Sequence, residues 1–223
     1  DDQHGTAIIT GAAVINALKV AGKKIEDVKI VINGAGAAGI SIGKYLLDLG
    51  AKNVIWCDRK GVIVEGQEGI NAAQAELPKI SNPNKVTGLL SDALVDADIF
   101  IGVSAPNIVS KDMIRSMADK AIVFPLANPV PEISHDDAIE AGAYIIGTGS
   151  SKYPNQINNV LVFPGIFRGA LDAGAKDINR EMMIAASKAI AESIPEDKLS
   201  PENIIPLAFD ESVHKKEAET VAE

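Results

Sequence analysis

The chain has 223 residues, 47% of them hydrophobic, which is ample for a buried core in one large domain or two small ones. Its formal net charge of -9 disfavours nucleic acid and anionic membrane surfaces, since both repel an acidic surface, and leaves a small molecule or another protein subunit as the expected partner. A lone cysteine, Cys57, permits no internal disulfide and reads as a buried thiol rather than a nucleophile; the cytoplasm is the expected compartment.

In residues 6–20, Ile8, Ile9, Ala12, Ile15 and Leu18 recur at helical spacing and Gly22 supplies a stop, so a largely buried helix is expected there. The β-branched run 28–32, broken by Asn33-Gly34, reads as a buried parallel strand. A helix over 38–49 and a strand over 53–57 follow, with Asp58 at the strand's carboxyl end. Apolar runs at 99–103, 121–126 and 144–146 alternate with helical stretches around 111–118 and 135–141. That alternation predicts an α/β fold, a Rossmann-type doubly wound, mostly parallel sheet covered on both faces. After Phe163 only helices are expected, over 165–173 and 178–193, as closing elements. The charged stretch 214–223 reads as a short exposed helix or a frayed end. No run approaches the roughly 18 uninterrupted apolar residues of a membrane span, and the acidic start lacks the basic and apolar regions of a signal peptide. Residues 1–223 are read as one domain, with the first helix and the tail as candidates for a neighbouring layer.

Gly34-Ala35-Gly36-Ala37-Ala38-Gly39 follows a strand and opens a helix, which is the context a dinucleotide-binding loop requires. Gly34 permits the tight turn, Gly36 lets the backbone approach a pyrophosphate, and Gly39 allows close packing of the helix. The helix N-terminus offers N–H groups and a positive dipole end to the phosphates. Asp58, 19 residues after Gly39, is placed to accept hydrogen bonds from a ribose hydroxyl. It favours NAD, whereas Arg59 and Lys60 could hold the extra phosphate of NADP. The bland alternatives are a glycine-rich packing turn and solvated turn cations.

The opening string Asp1-Asp2-Gln3-His4-Gly5-Thr6-Ala7 is more specific. It resembles the motif that leads into the cofactor domain of malic enzymes. The likeness continues, in family order, through the glycine loop, Val54-Ile55-Trp56-Cys57-Asp58-Arg59-Lys60-Gly61, Ile101-Gly102-Val103-Ser104, Leu126-Ala127-Asn128-Pro129 and Tyr153-Pro154-Asn155-Gln156-Ile157-Asn158-Asn159. The resemblance implies oxidative decarboxylation of malate to pyruvate and carbon dioxide, with NAD or NADP and a Mg2+ or Mn2+ ion. It makes Asp2 a metal ligand, suited because hard divalent cations prefer carboxylate oxygen, and Asp1 an acidic group beside the catalytic lysine. It puts Asn128 and Asn159 on the malate carboxylate and Asn158 near the nicotinamide ribose; neutral amides donate hydrogen bonds without adding charge. Ser104 is assigned to the cofactor by its position after a strand. Read alone, Asp1 and Asp2 could be helix-capping residues, and the asparagines could be turn residues. His4, His135, His214 and Tyr153 are not expected to transfer protons.

The family's general-acid tyrosine, general-base lysine, substrate arginine and glutamate-aspartate metal motif find no match, so a missing N-terminal catalytic segment is expected, in a homo-oligomer. Two other readings stay open: another Rossmann dehydrogenase, such as an amino-acid dehydrogenase, and a noncatalytic dinucleotide-binding regulatory module.

Overall fold

Residues 4–208 and 210–222 are described here in a computed structural model. The apolar runs become the strands β1 (Lys29–Asn33), β2 (Asn53–Asp58), β3 (Gly61–Val62), β4 (Ile99–Gly102), β5 (Ile122–Pro125) and β6 (Ile145–Ile146). They form one sheet in the order β3-β2-β1-β4-β5-β6, parallel except for the antiparallel edge pairing of β3 with β2. The register lines up Val54, Ile30, Ile99, Ile122 and Ile145 across the sheet, and the next row is Ile55, Val31, Phe100, Val123 and Ile146. Because successive side chains point to opposite faces, these rows fall into two separate buried cores, one on each side. Both faces being covered explains why the strands read as continuous apolar runs rather than alternating ones.

One core lies under α1 (His4–Ala21), α2 (Ala37–Asp48) and α8 (Arg180–Ala191). The other lies under the short helices α4 (Leu90–Leu94), α5 (Lys111–Arg115) and α6 (His135–Glu140). By length and composition α1 could cross a membrane, but it is 72% buried inside the protein, as expected of a core helix. Asn16 on this helix donates to the carbonyls of Ala191 (2.9 Å) and Ile204 (3.0 Å). The Tyr45 hydroxyl donates to Ser187 Oγ (2.7 Å), which donates onward to the Ile8 carbonyl (2.6 Å). These bonds lock α1, α2 and α8 into one layer. Cys57 is wholly buried in β2, and burial pushes its thiol up to about 12, so it is inert as expected.

Two features depart from expectation. The segment between β3 and β4 carries α3 (Ala72–Ile80) as well as α4, neither of which was anticipated. The tail is not an exposed or frayed end: α9 (Glu211–Ala222) packs on α7 (Gly165–Asp172) and α8, burying Val213, Glu217, Ala218 and Val221. The physical reason is a stripe at positions i, i+4 and i+8, Val213, Glu217 and Val221, whose central member is a carboxylate.

Candidate cofactor and substrate site

The reversal of strand order falls between β1 and β4, where the loops after the two strands diverge and leave a crevice at the sheet's carboxyl edge. The glycine loop fills the β1 side. Gly34 has φ +116°, and a Cβ there would fall 2.6 Å from the Val103 carbonyl oxygen. Gly36 is the N-cap of α2, with no side-chain cap on the helix and no atom within 4 Å of where a Cβ would stand. The first turn of α2 therefore keeps its N–H groups uncapped by any side chain, and the backbone at Gly36 is open to an incoming phosphate. Gly39 serves a closer contact than helix-on-strand packing alone: a Cβ there would collide with the Gly34 carbonyl, so the loop closes on itself. Trp56 Nε1 donates to the Gly39 carbonyl at 2.9 Å, and Gly43 leaves room for the same indole ring.

Asp58 stands at the carboxyl end of β2, half-buried, with Arg59 exposed beside it. Its Oδ1 accepts from the Lys60 backbone N–H at 2.7 Å and its Oδ2 from Gln67 Nε2 at 3.3 Å, which fixes the carboxylate's direction. Gln67 was not singled out from the sequence, nor was Gln74, whose Nε2 donates to the Ala35 carbonyl at 3.0 Å and so holds the glycine loop. Gln74 has a readable signal, because Asn71 and Gln74 form a reciprocal capping box at the start of α3.

A cavity of about 450 Å³ lies at the same edge and gathers Ala38, Ser104, Asn128, Asn158 and Asn159, together with Thr6 from the first turn of α1. Gly36 of the glycine loop and Asp58 and Arg59 at the end of β2 do not line it. Asn128 follows β5 by three residues and is exposed. Asn158 caps a 3-10 turn that begins at Asn159, its Oδ1 accepting from the Val160 N–H at 3.1 Å. With its oxygen committed there, any donation to a ligand falls to Nδ2.

Beneath the cavity sits Glu132, fully buried. Its Oε1 accepts from the Ser104 N–H at 2.9 Å and its Oε2 from the Ala127 N–H at 3.1 Å. Burial raises the pKa of this carboxyl, and the backbone N–H bonds oppose that shift. No sequence pattern marks Glu132, since its shorter hydrogen bonds come from backbone N–H groups.

Asp1 and Asp2, the expected acidic group and metal ligand, lie outside the described residues. Among the described residues no group of three or more His, Cys, Asp or Glu side chains is placed to hold a metal ion.

Comparison with known proteins agrees with this geometry. The family described as "Malic enzyme, NAD binding domain" matches residues 3–222. The chain is 52% identical, over its whole length, to 54% of the bifunctional malic/malolactic enzyme of Bacillus subtilis. It is 49% identical over 203 residues, 89% of the chain, to 26% of the NADP-dependent malic enzyme of Haemophilus influenzae. The solved structure of the NAD-dependent malic enzyme of Thermotoga maritima superposes with a TM-score of 0.95 at 49% identity, covering 100% of this chain and 58% of that one. The chain thus spans about half the length, or less, of the curated relatives it matches.

Proposed function

The chain belongs to the malic enzyme family as its NAD(P)-binding domain, and from that premise we propose that it supplies the cofactor-binding and malate-binding half of an enzyme that converts malate and NAD(P)+ into pyruvate, carbon dioxide and NAD(P)H. The observation that carries this reading is the single cavity shared by Ser104, Asn128, Asn158 and Asn159, open beside the N-terminus of α2. A small dicarboxylate and a nicotinamide can meet there, at the carboxyl edge where parallel sheets take their ligands.

In this reading the pyrophosphate rests on the N–H groups at the start of α2, and Asp58 accepts from the adenosine ribose. Asn128 and Asn159 donate to the malate carboxylate, while Asn158 and Ser104 border the nicotinamide ribose. Such donors set the hydroxyl-bearing carbon against the cofactor, and orientation of this kind is a large part of catalysis in a two-reactant site. The reaction also needs a base for the hydroxyl proton and an acid for the enolate carbon. We place both in a segment contributed from outside this chain, with Asp1 of this chain as the acidic group beside that segment's lysine. A Mg2+ or Mn2+ ion bound partly by Asp2 would polarise the substrate's oxygens when present, its remaining ligands coming from the same segment. We further propose NAD over NADP, on the fixed carboxylate of Asp58, and a homo-oligomeric, cytoplasmic enzyme.

The test is an assay of the full-length protein with manganese, malate and either cofactor, following NAD(P)H, pyruvate and carbon dioxide together. Stoichiometric formation of all three supports the reading. Cofactor reduction with an amino acid and none with malate points to an amino-acid dehydrogenase, and cofactor binding without turnover of either points to a regulatory module.

A further inference from the structure

We infer that Glu132 is a positioning residue for the substrate site: its one carboxylate ties the loop after β4, at Ser104, to the loop after β5, at Ala127, and thereby sets where Asn128 faces malate. The inference rests on the functional reading above and adds a residue to it.

The geometry divides the carboxylate between the loops. Oε1 takes the N–H of Ser104, the second residue after β4, at 2.9 Å, and lies 3.5 Å from the Ser104 hydroxyl. Oε2 takes the N–H of Ala127, the residue before Asn128, at 3.1 Å. The loops are also joined by main-chain bonds, from the Val109 N–H to the Glu132 carbonyl and from the Asn107 N–H to the Pro131 carbonyl. A third main-chain bond, from the Leu126 N–H to the Gly102 carbonyl at 2.8 Å, joins the two strand ends, and the carboxylate is the side-chain link between the turns that follow them at the cavity.

The chemistry of the pair of donors selects a carboxylate. Two N–H groups converge on one side chain, and an ionised carboxylate is acceptor-only at both oxygens. Glutamine has nearly the same shape but would aim an NH2 at one of the two N–H groups. Burying a carboxylate at 0% exposure is costly unless its hydrogen bonds are made, so a group retained here has a demanding task. Gly102, the last residue of β4, makes the space: a Cβ there would collide with the Glu132 carboxylate.

The experiment uses the full-length enzyme and two variants that disturb the contact from opposite sides, Glu132→Gln and Gly102→Ala. Steady-state kinetics give kcat and KM for malate, cofactor titration gives Kd, and amide hydrogen exchange reports on residues 103–109 and 126–131. In both variants kcat/KM for malate should fall by roughly tenfold or more, cofactor Kd should change far less, and exchange should quicken in at least one of the two loops. A merely structural role would lower the melting temperature and leave the malate parameters near wild type, which overturns the inference, as does equal loss for malate and cofactor. Wild-type enzyme that fails to oxidise malate would instead sink the functional reading; the exchange comparison then still decides whether Glu132 holds the loops, and unchanged exchange overturns it.

Discussion

The side-chain amide of Asn33 donates to the Ser104 hydroxyl at 2.7 Å, joining the end of β1 to the loop after β4 directly beneath the crevice. Asn33 is almost fully buried. Asn33→Ala should cost about 1 kcal/mol of stability in chemical denaturation, the net worth of such a bond. Asn33→Asp should cost more, because it sets a second carboxylate beside Ser104, which already meets Glu132. Equal midpoints for the two variants would contradict this account of the crevice floor.

The glycine loop separates folding from ligand access. A Cβ at Gly36 has no non-neighbouring atom within 4 Å, whereas one at Gly39 collides with the Gly34 carbonyl. Gly36→Val should therefore leave the melting temperature nearly unchanged while weakening NAD(P) binding in calorimetry by roughly tenfold or more, because it occupies the approach to the pyrophosphate. Gly39→Ala should lower both. Unchanged cofactor affinity in Gly36→Val would remove the loop from the binding site.

Asp58 is held by the Lys60 N–H and by Gln67, so its carboxylate cannot easily swing away from a cofactor's ribose. A ribose phosphate would meet that negative charge. Asp58→Ser should raise the ratio of NADP to NAD affinity by about tenfold, equivalent to about 1.4 kcal/mol. Gln67→Ala should move the ratio in the same direction by less. A ratio unmoved by Asp58→Ser would mean that Arg59 and Lys60, not Asp58, set the preference.

Glu217 has neither carboxylate oxygen hydrogen-bonded among the described residues, and burial pushes its pKa up to about 9 from an ordinary 4.5. The folded state thus favours the protonated form. Its contribution is fully present below the unfolded value and is lost as pH rises from about 5 through 9. Glu217→Gln cannot ionise, so its melting temperature should match or fall slightly below wild type near pH 5 and exceed it increasingly toward pH 9. A difference independent of pH would show that Glu217 is not buried neutral.

The parallel sheet was legible because both of its faces are covered and β-branched runs stand out against glycine and charge. The glycine loop, Asp58 and the asparagines were legible because each depends on local spacing. The missed parts depend on distant partners or mixed patterns. Helix α3 carries Pro78 inside it and buries only Leu77, so its periodicity is weak. In α9 the buried Glu217 interrupts the apolar stripe and makes a packed helix read as a solvated one. Glu132 satisfies one backbone N–H of its own loop and one of the loop after β4, a role that leaves no pattern along the chain. Asn155 likewise ties its loop to the segment before the tail, donating to the carbonyls of Ile146 and Pro201 and accepting from the Ile204 N–H.

The central claim is that one cavity of this domain holds the substrate as well as bordering the cofactor, through Asn128 and Asn159. The direct measurement is KM for malate and Kd for cofactor in the full-length enzyme, wild type against Asn128→Ala and Asn159→Ala. Loss of an amide that donates to a carboxylate should cost about 1–3 kcal/mol, so KM for malate should rise by about fivefold to 150-fold while cofactor Kd stays close to wild type. Equal losses for malate and cofactor, or an unchanged KM in both variants, would contradict the assignment of the substrate to this cavity.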